Sequence, residues 1–455
     1  MEEPKQHQTN LKRRLILFPA PYQGHVTPMI HLATLLHSKG FLITIIQPLY
    51  NSLNPTNFPH FTFNFIDDGV PQNTTPAPND YTSVLSLLNT NCLEPFKVCL
   101  SKIMNESCVD GNENVPVACL IVDPMWSFTG VVAERFGVPR MVLRTGSVSS
   151  FVVYESLQLL MEKGYFPLEE ARSDEQLLEF PPFKVGDLPP EVQHELIDTL
   201  VKETKNSEGL ICNTFEELEE YSIAKSREVL SMPIFPIGPI HKYSPTSAPS
   251  IWTQDQTAIL WLNTQAPKSV LYVSFGSLAA LGEDEFQEIA WGLANSQQPF
   301  LWVVRPGLSE GSEASDLLPE GYLDIVQGRG HIVKWAPQLD VLAHPAVGGF
   351  WTHCGWNSTL ESICEGVPML CLPCFADQDM NARQVMDGWK IGLKLKKGMK
   401  RDEIERAIRK LMVEQEGEEM RSRVTTLKEQ ASLCLMEGGS SYNSLDSLTN
   451  YLLSF

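Results

Sequence analysis

Two groups of residues have the types and spacing to do chemistry. His25 lies in a glycine-bearing turn, residues 19–25, that follows the apolar run 15–18, and Asp123 directly ends a second apolar run, 118–122. An imidazole held by a carboxylate can take a proton from a hydroxyl, because the carboxylate fixes the ring tautomer and stabilises the imidazolium that forms. The chain has 10 histidines, so the alternative for a lone one in a turn is a surface or capping role.

The second group lies in residues 335–378. An apolar run, 347–351, ends in Thr352-His353-Cys354-Gly355-Trp356-Asn357-Ser358, and a helical pattern (Leu360, Ile363, Cys364) then stops at Gly366-Val367-Pro368. That is strand, tight turn, helix. The first amides of such a helix lack intrahelical partners and carry the positive end of its dipole, which suits a phosphate. Gly355 lets the backbone come close, Asn357 and Ser358 offer cap-type side chains, and His353 adds a donor. Upstream, Trp335 presents a flat face to a base; downstream, Glu361 can accept from ribose hydroxyls, and Asp377 with Gln378 can bond the hydroxyls of a sugar. A second turn, Gly276-Ser277, closes the run 270–275 and offers further backbone amides. The alternative is a well-capped helix alone, which leaves Trp335, Glu361 and the Asp377-Gln378 pair unexplained.

Two further motifs read differently. Asp377-Gln378-Asp379 spells an Asp-x-Asp metal motif, but Asp379 opens a helical stretch as a cap does, so no metal is expected. Cys371-Leu372-Pro373-Cys374 has no second pair at zinc spacing and sits among apolar neighbours, which reads as core thiols.

Strands and helices must deliver these residues. Apolar runs at 15–18, 41–46, 61–65, 118–122, 141–143 and 210–213 read as strands, and helical patterns at 28–40, 83–103, 151–161 and 215–230 separate them. The same alternation continues past 254, with strands at 270–275 and 300–304. It predicts parallel, doubly wound sheets, whose ligands bind beyond the carboxyl ends of the strands. Residues 1–11, 67–80 and 307–315 read as loops. Residues 164–190 are irregular and proline-bearing, expected as a lid on an acceptor pocket, and 239–253 reads as a linker.

At 455 residues the chain is long enough for two domains with separate cores. Its formal charge of −20 argues against nucleic acid and anionic lipid as partners, so any phosphate site must be local. The run 15–18, broken by Pro19, is too short for a signal-peptide core, and no run approaches membrane-helix length, so no membrane insertion is expected. Ten scattered cysteines then read as reduced thiols of a cytoplasmic protein.

The segment from Trp335-Ala336-Pro337-Gln338, through His353-Cys354-Gly355-Trp356-Asn357-Ser358, to Asp377-Gln378 resembles the signature box of plant UDP-dependent glycosyltransferases of small molecules. Phe18-Pro-Ala-Pro-Tyr-Gln-Gly-His25 and Gly438-Gly-Ser-Ser441 extend the likeness to both ends, nearest the cytokinin, benzoxazinoid, iridoid and steviol-glycoside glucosyltransferase branch. The resemblance implies an α/β chain of the GT-B fold, with two facing Rossmann-like domains. Residues 1–240 would bind the acceptor, 241–253 link, 254–437 bind the UDP-sugar, and 438–455 form a helix crossing back to the first domain.

It further implies a metal-free, inverting transferase with UDP-glucose as co-substrate and no cofactor. His25 would be the base, assisted by Asp123. Gly24, Thr145, Ser277, Trp335, Ala336, Gln338, His353, Gly355, Trp356, Asn357, Ser358, Glu361, Asp377 and Gln378 would hold the donor, with Gln378 and Trp356 favouring glucose. Tyr22, Gln23, Met125, Trp126 and Phe151 are the expected acceptor-pocket residues, apolar enough for a lipophilic metabolite accepting at oxygen, or at nitrogen or sulfur. A monomer is expected. An NAD(P)-dependent oxidoreductase is excluded by the lack of Gly-x-Gly-x-x-Gly after any predicted strand, and a P-loop kinase by the lack of any Gly-Lys pair. A nucleotide-sugar binder without transfer activity is the remaining alternative.

Overall fold

The apolar runs pair into two parallel sheets in a computed structural model that describes residues 13–70, 81–106, 115–243, 250, 252–308 and 318–455. The first sheet contains β1 (Arg14–Phe18), β2 (Leu42–Pro48), β3 (Thr62–Ile66), β4 (Val117–Val122), β5 (Arg140–Arg144), β6 (Gly209–Cys212) and β7 (Ile234–Pro236), in the order β3-β2-β1-β4-β5-β6-β7. The second contains β8 (Val270–Ser274), β9 (Phe300–Val303), β10 (Gly330–Val333), β11 (Val347–Thr352), β12 (Met369–Cys371) and β13 (Gly392–Lys394), in the order β10-β9-β8-β11-β12-β13.

Runs without polar alternation form these strands because both faces of each sheet are covered. In β1, Ile16 and Phe18 enter one hydrophobic cluster while Leu15 and Leu17 enter another on the opposite face. In the second sheet, Val270 and Tyr272 face one way and Leu271 and Val273 the other. The strand order reverses direction between β1 and β4, and again between β8 and β11. Crevices open at such switch points, beyond the strands' carboxyl ends.

The C-terminal helix Ser440–Ser454 buries Leu445, Leu448 and Leu452 in the cluster formed by Leu15 and Leu17 of the first sheet. It therefore does cross back. Ser441 Oγ donates to Gly238 O at 2.5 Å and Tyr451 Oη to Glu208 O at 2.9 Å.

Two expectations change. The helix after β1 is Gln23–Ser38, with Pro28 inside it, so His25 stands in a first helical turn and not in a preceding loop. Residues 164–190, expected as a lid, contribute no residue to the lining of the cavity between the sheets, and their Leu177, Phe180 and Phe183 are buried in the first domain's main cluster. Of the expected loops and linker, residues 1–11, 71–80, 244–249, 251 and 309–315 lie outside the described residues.

Candidate active site

A cavity of about 280 Å³ lies between the carboxyl ends of the two sheets. From the first sheet's side it takes Tyr22, Gln23, Gly24, His25, Asp123, Met125 and Thr145; from the second, Ser277, Trp335, Ala336, Gln338, His353, Gly355, Trp356, Asn357, Ser358, Glu361, Asp377 and Gln378. Nearly all the residues singled out from sequence therefore converge on one wall-to-wall space.

Asp123 leaves β4 fully buried and accepts two hydrogen bonds, one from Met125 N at 3.0 Å and one from His25 Nδ1, 2.6 Å from its Oδ2. Thr145 Oγ1 lies 3.1 Å from the same ring nitrogen. With Nδ1 engaged, Nε2 is the nitrogen available to a ligand hydroxyl. Burial disfavours the imidazolium, but the charge and hydrogen bond of Asp123, with help from Asp377 and against Arg144, hold the His25 pKa above its ordinary 6.5.

On the facing side, Gly276 adopts φ +72°, and a Cβ there would lie 2.5 Å from His353 Cε1, so glycine alone lets the two turns close together. His353 is neutral at ordinary pH, its pKa pushed down to about 4 by burial and by Arg305. The helix Trp356–Glu365 has Gly355 at its N-cap and no side-chain cap, so its first amides stay open for a ligand. Asn357 and Ser358 do not cap it as expected. Asn357 Nδ2 instead donates to Gly24 O at 2.7 Å, and Ser358 Oγ accepts from Gln338 Nε2 at 2.9 Å. Trp356 donates through Nε1 to Asn213 O at 2.8 Å, which binds it to the first domain.

The part of the cavity lined by Trp335, Gln338 and Glu361 is equally ordered. Trp335 stacks on Trp252 with centroids 5.9 Å apart, so one indole face is backed and the plane is fixed. Gln338 Nε2 donates to Glu361 Oε2 at 2.6 Å. Burial pushes the Glu361 carboxyl up to about 7 against that hydrogen bond. At the other end, Gln378 Oε1 accepts from the amides of Cys374 and Phe375 at 2.8 and 3.1 Å. Asp379 pairs with Lys394 at 2.9 Å. Among the described residues no three His, Cys, Asp or Glu side chains form a metal-binding group, and the nine described cysteines are free thiols, Cys371 buried among them.

Two expected acceptor residues are elsewhere. Trp126 is fully buried, stacked on Phe18 with centroids 4.3 Å apart, and Phe151 packs in the same cluster. Trp126 is turned into the core by packing on Phe18 and Phe128, and Phe151 lies on a helix, Val148–Glu155, that is buried from Val148 to Tyr154. The first domain's side of the cavity is lined instead by Tyr154, one turn beyond Phe151, and by Leu196, Ile197 and Leu200 of the helix His194–Lys205. Their three-to-four spacing was the available signal. Arg144 also lines the cavity, buried at the end of β5, donating to Ser147 O at 2.8 Å and Ser150 Oγ at 2.7 Å. A cation ending an apolar strand was its signal. No described helix is long and apolar enough to cross a membrane.

Residues 213–430 match the family described as UDP-glucoronosyl and UDP-glucosyl transferase. The chain is 46% identical to UDP-glycosyltransferase 76B1 of Arabidopsis thaliana over 450 residues, covering 97% of this chain and 98% of that one. It is 43% identical to UDP-glycosyltransferase 76G1 of Stevia rebaudiana over 465 residues, covering 100% of both. Among solved structures it resembles UGT2 of Phytolacca americana complexed with UDP-2fluoro-glucose and pterostilbene. That likeness has a TM-score of 0.80 and 28% identity, covering 97% of this chain and 99% of the other.

Proposed function

The chain belongs to the plant UDP-glycosyltransferase family, enzymes of the GT-B fold that move a sugar from a UDP-sugar to a small molecule, and on that premise we propose an inverting glucosyltransferase with His25 as its base. The observation that carries the reading is the 2.6 Å contact between His25 Nδ1 and buried Asp123 on the cavity wall. His25 Nε2 takes the proton of an acceptor hydroxyl as that oxygen bonds to the anomeric carbon. The bond from that carbon to the UDP oxygen breaks on the opposite face, which inverts the centre. Asp123 stabilises the imidazolium, which then loses its proton to solvent.

Charge develops on the departing diphosphate. The open amides of the helix Trp356–Glu365 and of the Gly276-Ser277 turn, with the neutral imidazole of His353, are preorganised donors for it. This donor set supports transfer without a metal. Trp335 would stack on uracil, and Glu361 would accept from the ribose. Asp377 and Gln378 would meet the sugar, and the Gln at that position supports glucose.

Met125, Leu196, Ile197, Leu200 and Leu278 give the acceptor end an apolar surface, which supports a lipophilic acceptor taken at a hydroxyl; pterostilbene bound to the Phytolacca relative fits that class. The buried free thiols suit a cytoplasmic setting.

The test is to incubate wild-type protein and His25→Ala with UDP-glucose, EDTA and a panel of plant metabolites, and to detect hexose addition by mass spectrometry. Products from the wild type alone support the mechanism and identify the acceptor class. Equal products from the variant remove His25 as base, and UDP-glucose binding with no product from any acceptor favours a binder without transfer activity.

A further inference from the structure

The short helix Gln378–Arg383 follows β12 of the second sheet, yet it is gripped along its length by the first domain. At its start, Asp377 Oδ2 lies 3.4 Å from Ser150 Oγ, the hydroxyl that accepts from Arg144 Nη2. In its middle, Met380 is buried within the first domain's main hydrophobic cluster. At its end, Arg383 Nε donates to Asp187 Oδ2 at 2.7 Å and Arg383 Nη2 to Asp187 Oδ1 at 3.2 Å. Lys394 Nζ, from β13, reaches Asp187 Oδ1 at 3.1 Å.

Asp187 is 2% exposed. A carboxylate taken out of water at that depth is costly unless paired, and its pairing gives direction more than net stability. The cations are held in their charged form: burial works against both, but Asp187 with Asp387 keeps Arg383, and Asp379 with Asp187 keeps Lys394, above its ordinary pKa. The forked Arg383 contact fixes orientation as well as distance. Nothing in the catalytic steps uses Asp187, and it does not line the cavity.

We infer that Asp187 is a positioning residue for the donor sugar. Through Arg383 it anchors the far end of the helix whose first residues, Asp377 and Gln378, face the sugar, while Ser150 anchors the near end. Uridine and diphosphate contacts lie on other elements, so the first domain sets recognition of the sugar separately from recognition of the nucleotide. The inference rests on Asp377 and Gln378 being the sugar contacts.

The experiment measures Kd for UDP and for UDP-glucose by calorimetry, and kcat and KM in transfer, on wild type, Asp187→Asn, Asp187→Glu, Ser150→Ala, Lys394→Met and Asp377→Ala. Asp187→Asn is expected to weaken UDP-glucose by at least about tenfold while UDP stays within about twofold, since small misplacements of a positioning group carry large penalties. Ser150→Ala should shift the same ratio less, and Asp187→Glu should recover part of it. Loss of both ligands together, or of neither, overturns the inference. If Asp187→Asn does not fold, Ser150→Ala and Lys394→Met decide by the same ratio. Wild-type sugar affinity in Asp377→Ala overturns the assignment of the sugar contacts itself, and wild-type affinity in the Asp187 and Ser150 variants with a defect in Asp377→Ala overturns only the positioning role.

Discussion

The side-chain amide of Asn357 donates to the backbone carbonyl of Gly24 at 2.7 Å, and Pro28 is the reason that carbonyl is available. In the helix Gln23–Ser38 the residue four positions beyond Gly24 is proline, which has no N–H to give. An interior proline usually leaves such a carbonyl to water and costs about 3 kcal/mol relative to alanine. Here the freed acceptor is met from the other domain, by the helix that carries the open amides, at the residue directly before His25. The two facing sides of the cavity are thus tied through one hydrogen bond.

Asn357→Ala should therefore lower stability by about 1 kcal/mol, the net value of an ordinary hydrogen bond. Pro28→Ala restores an N–H within reach of Gly24 O and should compensate, so the double variant loses less than Asn357→Ala does alone. Denaturant unfolding of the four proteins gives the coupling directly. Strictly additive effects would mean that the two residues do not share that carbonyl.

The pH dependence of transfer follows from the groups around His25. As the proposed base, His25 must be neutral to act, and Asp123 helps to hold its pKa above 6.5, so kcat/KM should fall as pH drops through a value above 6.5. Asp123→Asn removes the charge and the hydrogen bond that do most to raise it, leaving burial and Arg144, which lower it, opposed by Asp377 alone. The acidic limb should then move to lower pH while the rate falls by about 10²–10⁴, as for loss of a tautomer-fixing carboxylate. A limb that stays in place would show that another group titrates.

Much of this was legible because the site is built from short contiguous motifs at strand ends. The runs that became β1, β4, β8 and β11 are the switch-point strands, and their side chains are apolar on both faces, so the signal is dense. Strands β7, β12 and β13 have three residues each, too few for any periodicity to appear. The start of the helix after β1 was missed because Gly24 and Pro28 both read as boundaries, and the compensating donor, Asn357, is 333 residues away. Trp126 was misplaced for a related reason. Its position after Asp123 suggested the pocket, but stacking on Phe18 is decided by tertiary packing. Asp187 was invisible, since an aspartate in an irregular stretch gives no hint of a buried partner at Arg383.

The C-terminal helix should behave as part of the first domain's core. Leu448 is fully buried in the cluster that also holds Leu15 and Leu17. Leu448→Ala should cost about 2–5 kcal/mol by lost burial and a residual cavity. Exposed Leu453, on the same helix, is the control, and its change to alanine should fall within about 0.5 kcal/mol. Thermal and denaturant unfolding of both variants separate the outcomes, and equal, small losses would mean the helix does not dock stably on the sheet.

Glu361 as the proposed ribose contact predicts a nucleotide affinity that depends on pH near neutrality. Burial holds its carboxyl at about 7 in the unliganded protein, with Gln338 pulling in the opposite direction. Ribose hydroxyls donate to a carboxylate, so the ligand favours the ionised form, and binding releases a proton where Glu361 is still protonated. UDP affinity should rise as pH increases toward about 7 and level off above it, by up to about tenfold per unit on the acidic side. Glu361→Gln should weaken binding and remove this component, which isolates it from the titration of the phosphate itself. Gln338→Ala should move the midpoint upward, because it deletes the hydrogen bond that favours the carboxylate. Calorimetry in buffers of different ionisation enthalpy counts the released proton. A wild type and a Glu361→Gln variant with the same pH profile would exclude the carboxylate as the titrating ribose contact.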